Sequence, residues 1–185
     1  LAGPVTVGVV LCEEGLYKKL KLLRNLFPSG KDSKKLSAAE REKYSQVLKQ
    51  LAKENKISFS INHISNKTID SKGLTYSINK ALRKGIDKLK IKPKNCKVRL
   101  DGGLKAPEIF RKQKTIIKGD EKEKIIAWAS ILAKVSRDGL MSKFSKRFPA
   151  YGFEIHKGYG TEKHRMAIKK HGLSVLHRRT FCRKY

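Results

Sequence analysis

Residues Lys114–Gly139 read KTIIKGDEKEKIIAWASILAKVSRDG. Thr115-Ile116-Ile117 is a short β-branched run, which suits an extended strand. Lys118-Gly119-Asp120 ends it. Asp120, followed three residues later by Glu123, has the pattern of a capping box with Asp in place of Ser or Thr, so a helix is predicted to start there. Ile125, Trp128, Ala129, Leu132 and Val135 then recur at helical spacing, and the helix runs as far as Phe148, just ahead of Pro149. A strand that hands over directly to a long helix belongs to a chain in which helices cover a sheet.

The flanking sequence repeats this alternation. VTVGVVLC, Val5–Cys12, is β-branched and short and reads as a buried strand. Residues 13–35 are irregular and basic, with Pro28-Ser29-Gly30 as a turn signal. Ser37-Ala38-Ala39-Glu40 is a capping box, and it opens a helix with Tyr44, Val47, Leu48 and Leu51 on one face. ISFSINHI, Ile57–Ile64, alternates for several steps and reads as a second strand. From Asp70 to Leu89 the apolar residues take helical spacing with Lys and Arg opposite. Val98 and Leu100 make a short strand that ends at Asp101-Gly102-Gly103. The C-terminal part, from Tyr151, is rich in Gly, His, Lys and Arg. A mixed sheet of the α/β or α+β kind follows from this order.

The chain has 185 residues, with 44 Lys and Arg against 16 Asp and Glu, for a net charge of +28. Apolar residues reach 39%, enough to build a core without disulfides or metals, so a disordered basic tail is excluded. The charge points to a polyanionic partner, nucleic acid before an anionic membrane surface. No apolar run is long enough to span a bilayer and no signal peptide is visible, so no membrane partner is expected. Cys12, Cys96 and Cys182 are odd in number and far apart, which argues against disulfides and zinc ribbons and for a reducing, cytoplasmic location.

Acids are scarce, so their positions carry information. Asp101 sits at a strand end before two glycines, where α/β sheets place reactive groups; from position alone the plainer reading is that it starts a turn. Asp138 lies seven residues after Ile131 and eleven after Ala127, nearly in line with both on one helix, so it is expected to be partly buried against a cation, either Lys134, Arg137 or a metal. It reads equally as a structural ion pair or as a helix end turned to solvent. Two converging carboxylates would suit a hard divalent cation such as Mg²⁺, but a two-metal site needs more acids than these. In HKGYGTEKH, His156–His164, the two glycines let the backbone approach a ligand; Tyr159 could stack on a base or sugar, with Lys157 near phosphate. In KDSKK, Lys34 and Lys35 could hold phosphate, though by itself the run reads as a solvated loop. The five histidines form no HExxH pattern and are expected at the surface or against phosphate. There is no Walker A loop, no GxSxG and no Cys/His nucleophile pair.

Seven pieces in a fixed order carry a resemblance. They are LAGPV (1–5), KDSKKLS (31–37), LDG (100–102), KGD (118–120), ASILAKVSRD (129–138), YGFEIHKGYGT (151–161) and HRRTF (177–181). Together they resemble ribonuclease HII, the type 2 ribonuclease H, over nearly the whole chain. The resemblance implies an α/β fold of the ribonuclease H type: a mixed five-stranded sheet flanked by helices, with a small helical C-terminal segment. Residues 1–150 would be the catalytic domain and residues 151–185 the basic substrate-binding segment. It implies an endonuclease that cleaves the RNA strand of RNA–DNA hybrids, and single ribonucleotides embedded in duplex DNA, with Mg²⁺ or Mn²⁺ and leaving 3′-hydroxyl and 5′-phosphate ends. Asp101 and Asp138 would be catalytic, metal-ligating carboxylates. Tyr159 would sense the ribose–deoxyribose junction, and Lys34, Lys35 and Lys157 would bind backbone phosphates. A monomer is expected.

One departure accompanies the resemblance. The family's first motif, an Asp-Glu pair followed closely by Gly-Arg-Gly just ahead of LAGPV, is not among the 185 residues. The chain therefore reads as an N-terminally incomplete member that lacks the first, central strand and has little or no activity by itself. The competing reading is a non-catalytic basic RNA-binding protein of the ribosome-associated kind, which the charge alone would satisfy.

Overall fold

Val5–Cys12 forms strand β1, and glycines let helices approach it from both faces. A Cβ on Gly8 would lie 2.3 Å from the carbonyl oxygen of Ala129, so the helix that carries Ala129 packs directly on that face of the strand. On the opposite face the next residue, Val9, comes within 2.6 Å of where a Cβ on Gly85 would stand. The layering is therefore helix, strand, helix, the arrangement that the strand-to-helix hand-over predicts.

The computed structural model describes residues 1–22 and 36–185. The predicted turn at Pro28-Ser29-Gly30, and with it Lys34 and Lys35, lies outside the described residues. After β1 come helices α1 (Glu14–Leu22) and α2 (Ala38–Lys53), strand β2 (Ile57–Ile64), helices α3 (Asn66–Lys72) and α4 (Leu74–Lys88), and strands β3 (Val98–Asp101) and β4 (Gln113–Ile116). The short helix α5 (Gly119–Lys122), the long helix α6 (Lys124–Arg147), the short α7 (Phe153–His156) and α8 (Glu162–His171) complete the order. β1 pairs with β2, and β3 pairs with β4 in parallel. Among the described residues the strands thus form two two-stranded ladders within an α/β chain, four strands in all, where the family's five-stranded sheet was expected without its first, central strand.

Several local predictions hold for the reasons given. Ser37 caps α2: its side chain accepts from the Glu40 amide at 3.1 Å, and Glu40 accepts from the Ser37 amide at 2.7 Å. Other predictions need correction. β1 is half-buried along all eight residues rather than buried, because its ladder partner among the described residues lies on one edge only. Part of the stretch read as irregular is helix α1. The single helix expected from Asp70 to Leu89 is two helices, broken at Gly73, whose φ of +83° ends α3. The Asp120–Glu123 capping box does not form, because the Glu123 carboxylate accepts the Tyr17 hydroxyl instead. Asp120 is the second residue of α5, and α6 starts separately at Lys124.

The chain divides into two units. One comprises residues 1–6, 63–78 and 136–185; the other comprises residues 7–62 and 79–135. The second unit has two apolar clusters. Trp128, Ile131 and Leu132 of α6 pack with Leu48, Leu51 and Ile57, and the Trp128 ring meets Tyr17 edge-on at 5.6 Å. Leu82 and Ile86 of α4 pack with Leu100, Ala106 and Phe110 under the β3–β4 pair. The first unit is centred on Ala2, Met141, Tyr151 and Phe153. Within it the segment 1–4 is bound by late residues: Ala2 forms an isolated antiparallel bridge with His177, the Gly3 amide donates to Leu176 at 2.9 Å, and the Arg178 guanidinium donates to the carbonyls of Gly3 and Pro4 at 2.9 and 3.1 Å. Among the described residues no helix is long and apolar enough to cross a membrane.

Candidate nuclease site

β3 and β4 run parallel with Asp101 opposite Ile116, so both strands deliver their C-terminal ends to the same place. The ladder closes there with the Gly102 amide donating to the Ile116 carbonyl at 3.1 Å. Beyond β4 the chain must turn at once into α5. Lys118 makes that turn in the left-handed region, at φ 54° and ψ 48°. The turn carries Gly119 back over Asp101, and the Gly119 amide donates to Oδ1 of Asp101 at 2.7 Å. A side chain at position 119 has no room: its Cβ would lie 2.6 Å from Ile126 Cδ1 and 3.3 Å from Asp101 Oδ1.

This places Asp120, the residue after Gly119, in the same corner as Asp101. Asp120 is 4% exposed, and Asp101 is half-buried. Two aspartates nineteen positions apart thereby share the C-terminal end of one parallel strand pair, where α/β sheets bind ligands. By sequence alone Asp120 has the position of a helix cap. The signal that could have found it was present: a second acid directly after a short strand, preceded by the one residue that permits close approach.

Asp138 lies in the other unit, on α6, half-buried as its position in the stripe predicted. The structure groups it with the other two predicted contacts. Ser142 Oγ donates to the Asp138 carbonyl at 3.1 Å, and Lys157 Nζ donates to Ser142 Oγ at 2.7 Å. Arg137 donates to the carbonyls of Lys157, Pro4 and Ala2 at 2.9, 3.1 and 3.2 Å, and its guanidinium stands 5.1 Å from the centre of the Tyr159 ring. Arg137 thus serves the loop's carbonyls and the Tyr159 ring. Tyr159 is 53% exposed. Lys157 and Gly158 both have positive φ, 51° and 81°, and a Cβ on Gly158 would lie 2.5 Å from the Ala2 carbonyl oxygen. The first glycine of HKGYG is therefore dictated by its contact with the N-terminal segment.

The histidines depart from expectation. His156, His164 and His177 are buried, not exposed to solvent or phosphate. Each finds main-chain partners, which is what lets a polar ring enter a core. Burial pushes the Cys12, Cys96 and Cys182 thiols up, so none is held as a thiolate nucleophile. Among the described residues no group of three or more His, Cys, Asp or Glu side chains is arranged to hold a metal ion.

A family model described as Ribonuclease HII matches residues 1–184. The chain is 39% identical over 181 residues to a ribonuclease HII from Clostridium botulinum (strain Hall), a match that takes in 98% of this chain and 63% of that relative. The chain thus spans under two thirds of that relative's length. Among solved structures it is similar to a chain of the PCNA:RNase HII complex from Archaeoglobus fulgidus, with a TM-score of 0.69 at 23% identity over 97% of this chain and 87% of that one. It is also similar to the ribonuclease H2 of Pyrococcus horikoshii OT3, with a TM-score of 0.61 at 25% identity over 96% and 88% of the two chains. With a strand-end acid pair, a Gly-Tyr-Gly loop and a family match from one end to the other, the chain belongs to the ribonuclease HII family.

Proposed function

We propose that this chain is the catalytic and substrate-binding part of an endonuclease that hydrolyses the RNA strand of RNA–DNA hybrids and cuts at single ribonucleotides in duplex DNA, leaving 3′-hydroxyl and 5′-phosphate ends. The observation that carries this reading is the hydrogen bond from the Gly119 amide to Asp101, which brings the neighbouring Asp120 to the same end of the β3–β4 pair in a member of this family. We assign catalytic, metal-holding roles to Asp101 and Asp138, and add Asp120. The support is unequal. Asp120 is tied to Asp101 through Gly119, whereas Asp138 rests on its helix position and its resemblance.

The donors fit a hard divalent cation in kind, since carboxylate oxygens are what Mg²⁺ and Mn²⁺ take. Such ions, when bound, stabilise the attacking and leaving oxygens of a phosphodiester displacement. The protein's own share is positional. The Gly119 amide fixes the rotation of the Asp101 carboxylate, Lys157 offers its ammonium to a phosphate, and Tyr159 offers a ring face to a sugar or base. Lys34 and Lys35 are proposed as further phosphate contacts by resemblance, and residues 151–185 as the substrate-binding segment. The resemblance also calls for an Asp-Glu pair in addition to these acids, so the 185 residues alone are proposed to bind substrate while cleaving it weakly or not at all. We propose a monomer acting in the cytoplasm.

The test is cleavage of a duplex containing one ribonucleotide, with Mg²⁺ or Mn²⁺, by a chain extended to include an Asp-Glu motif. Cleavage that is lost in Asp101→Asn and Asp120→Asn, with hybrid binding retained, supports the reading; Asp138→Asn separates the two acid assignments. Hybrid binding with no cleavage in the extended chain, and indifference to all three substitutions, would instead favour the non-catalytic RNA-binding alternative that a charge of +28 by itself permits.

A further inference from the structure

Three buried imidazoles lie under the Tyr159 loop, and the main-chain amides and carbonyls that face them order their protons. His177 Nδ1 faces the Ser174 amide at 2.9 Å, so it accepts, and the ring proton must sit on Nε2. Nε2 faces His164 Nε2 at 3.0 Å, so His164 accepts there and carries its proton on Nδ1. That proton is donated to the Tyr159 carbonyl at 2.8 Å. His156 obeys the same rule: Nδ1 accepts from the Gly158 amide at 3.2 Å, and Nε2 donates to the Tyr151 carbonyl at 2.7 Å. The Tyr159 amide in turn donates to the His156 carbonyl at 2.9 Å. With all three rings neutral, every ring nitrogen has a partner of the right polarity.

We propose that His164 and His177 are positioning residues for Tyr159, holding its loop through a proton-ordered chain from the Ser174 amide to the Tyr159 carbonyl. This rests on the reading of Tyr159 as a nucleic-acid contact. An added proton meets an amide donor at His156 Nδ1 (Gly158) and at His177 Nδ1 (Ser174), where the Ser174 hydroxyl oxygen, also at 2.9 Å, is the acceptor within reach. On His164 it would point at His177 Nε2–H; if His177 shifted its own proton to Nδ1, that proton would meet the Ser174 amide. The rings of His156 and His164 are stacked at 4.2 Å and 13°, so charge on both would repel. Among the described residues no carboxylate is hydrogen-bonded to the three rings. The groups around the chain are His171 and Arg178, the Leu1 amino group and the Cys182 thiol, with Asp70 bound to the Arg179 and Thr180 amides. Burial pushes both His164 and His177 down to about 4, consistent with the neutral form. His164 and His177 are 0% and 1% exposed, so the chain is shut off from solvent.

The test uses the 185-residue chain. Ring ¹⁵N spectra near neutral pH should report Nε2–H on His156 and His177 and Nδ1–H on His164. A different tautomer, or a charged ring at about pH 7, overturns the proposal. With 3-fluorotyrosine incorporated and the Tyr159 signal assigned through Tyr159→Phe, that signal should move as the rings titrate. It should hold its neutral position in His164→Asn, whose amide replaces Nδ1–H, and lose it in His164→Ala. A Tyr159 signal that ignores ring titration overturns the proposal, and that measurement needs no variant to fold. The affinity advantage of wild type over Tyr159→Ala for an RNA–DNA hybrid, roughly fivefold or more from one stacked base, should vanish over the same pH range. If ring and Tyr159 signals move together while hybrid affinity ignores Tyr159, the positioning role stands and the nucleic-acid reading of Tyr159 falls.

Discussion

The Gly119 amide donates to Oδ1 of Asp101 at 2.7 Å, across the ends of two parallel strands. Replacing Asp101 by Asn keeps an oxygen for that amide, whereas Ala leaves it without its acceptor. Asp101→Asn should therefore unfold in urea near the wild-type midpoint, and Asp101→Ala should lose about 1–2 kcal/mol. Both should abolish cleavage in a chain extended to carry the Asp-Glu motif. Equal stability of the two variants would show that the hydrogen bond does not organise the corner.

Gly119→Ala tests the same corner from the other side. Its Cβ would stand 2.6 Å from Ile126 Cδ1, an overlap that should cost about 1–3 kcal/mol. Urea denaturation followed by the fluorescence of Trp128, the chain's single tryptophan, gives the value.

Trp128 is 0% exposed and meets Tyr17 edge-on. Its emission should be blue-shifted in the native state, and Trp128→Leu should destabilise by about 2–4 kcal/mol, through lost area and the cavity left behind. Circular dichroism replaces fluorescence as the probe for that variant.

Acid should destabilise the protein in a defined window. His164 and His177 are held down to about 4 in the fold, mainly by burial, and return to about 6.5 when unfolded. Between those values the unfolded chain binds more protons than the folded one. The stability is therefore complete above about pH 6.5 and is lost as pH falls toward about 4, with a slope of up to about 1.4 kcal/mol per pH unit per ring. Urea midpoints measured at a series of pH values give the slope; a flat profile through this window contradicts the buried neutral pair.

Binding of the hybrid should weaken steeply with salt. A chain of net charge +28 grips phosphates by displacing counterions, so log affinity should fall against log salt with a slope of about −0.9 for each phosphate neutralised, taking duplex DNA as the guide. Fluorescence anisotropy across a salt series measures it, and a shallow slope would point to few phosphate contacts.

What the sequence revealed follows from the range of the forces involved. Local signals translated well: the Ser37–Glu40 box, the two long strands and the extent of α6 rest on neighbours within a few residues. The resemblance named the motifs in order, and Asp101 lies where its strand end put it. The errors came from distant partners. Glu123 was read as half of a cap because its true partner, Tyr17, lies over a hundred positions away. The histidines were placed at the surface because nothing local shows that Tyr159, Tyr151 and Ser174 supply main-chain partners for buried rings. Asp120 was missed because its nearness to Asp101 arises from the parallel pairing of β3 with β4, a property of register.

The contacts that bind residues 1–4 to residues 176–178 also bear on how the protein is made. On the ribosome the first strand emerges more than 170 residues before the groups that receive its leading end. The unit comprising residues 1–6, 63–78 and 136–185 therefore cannot close while the chain is still being synthesised through α8. Its loop closure is long-range and correspondingly slow. The other unit draws only on residues 7–135 and is free to form first, which makes synthesis itself the ordering step in folding.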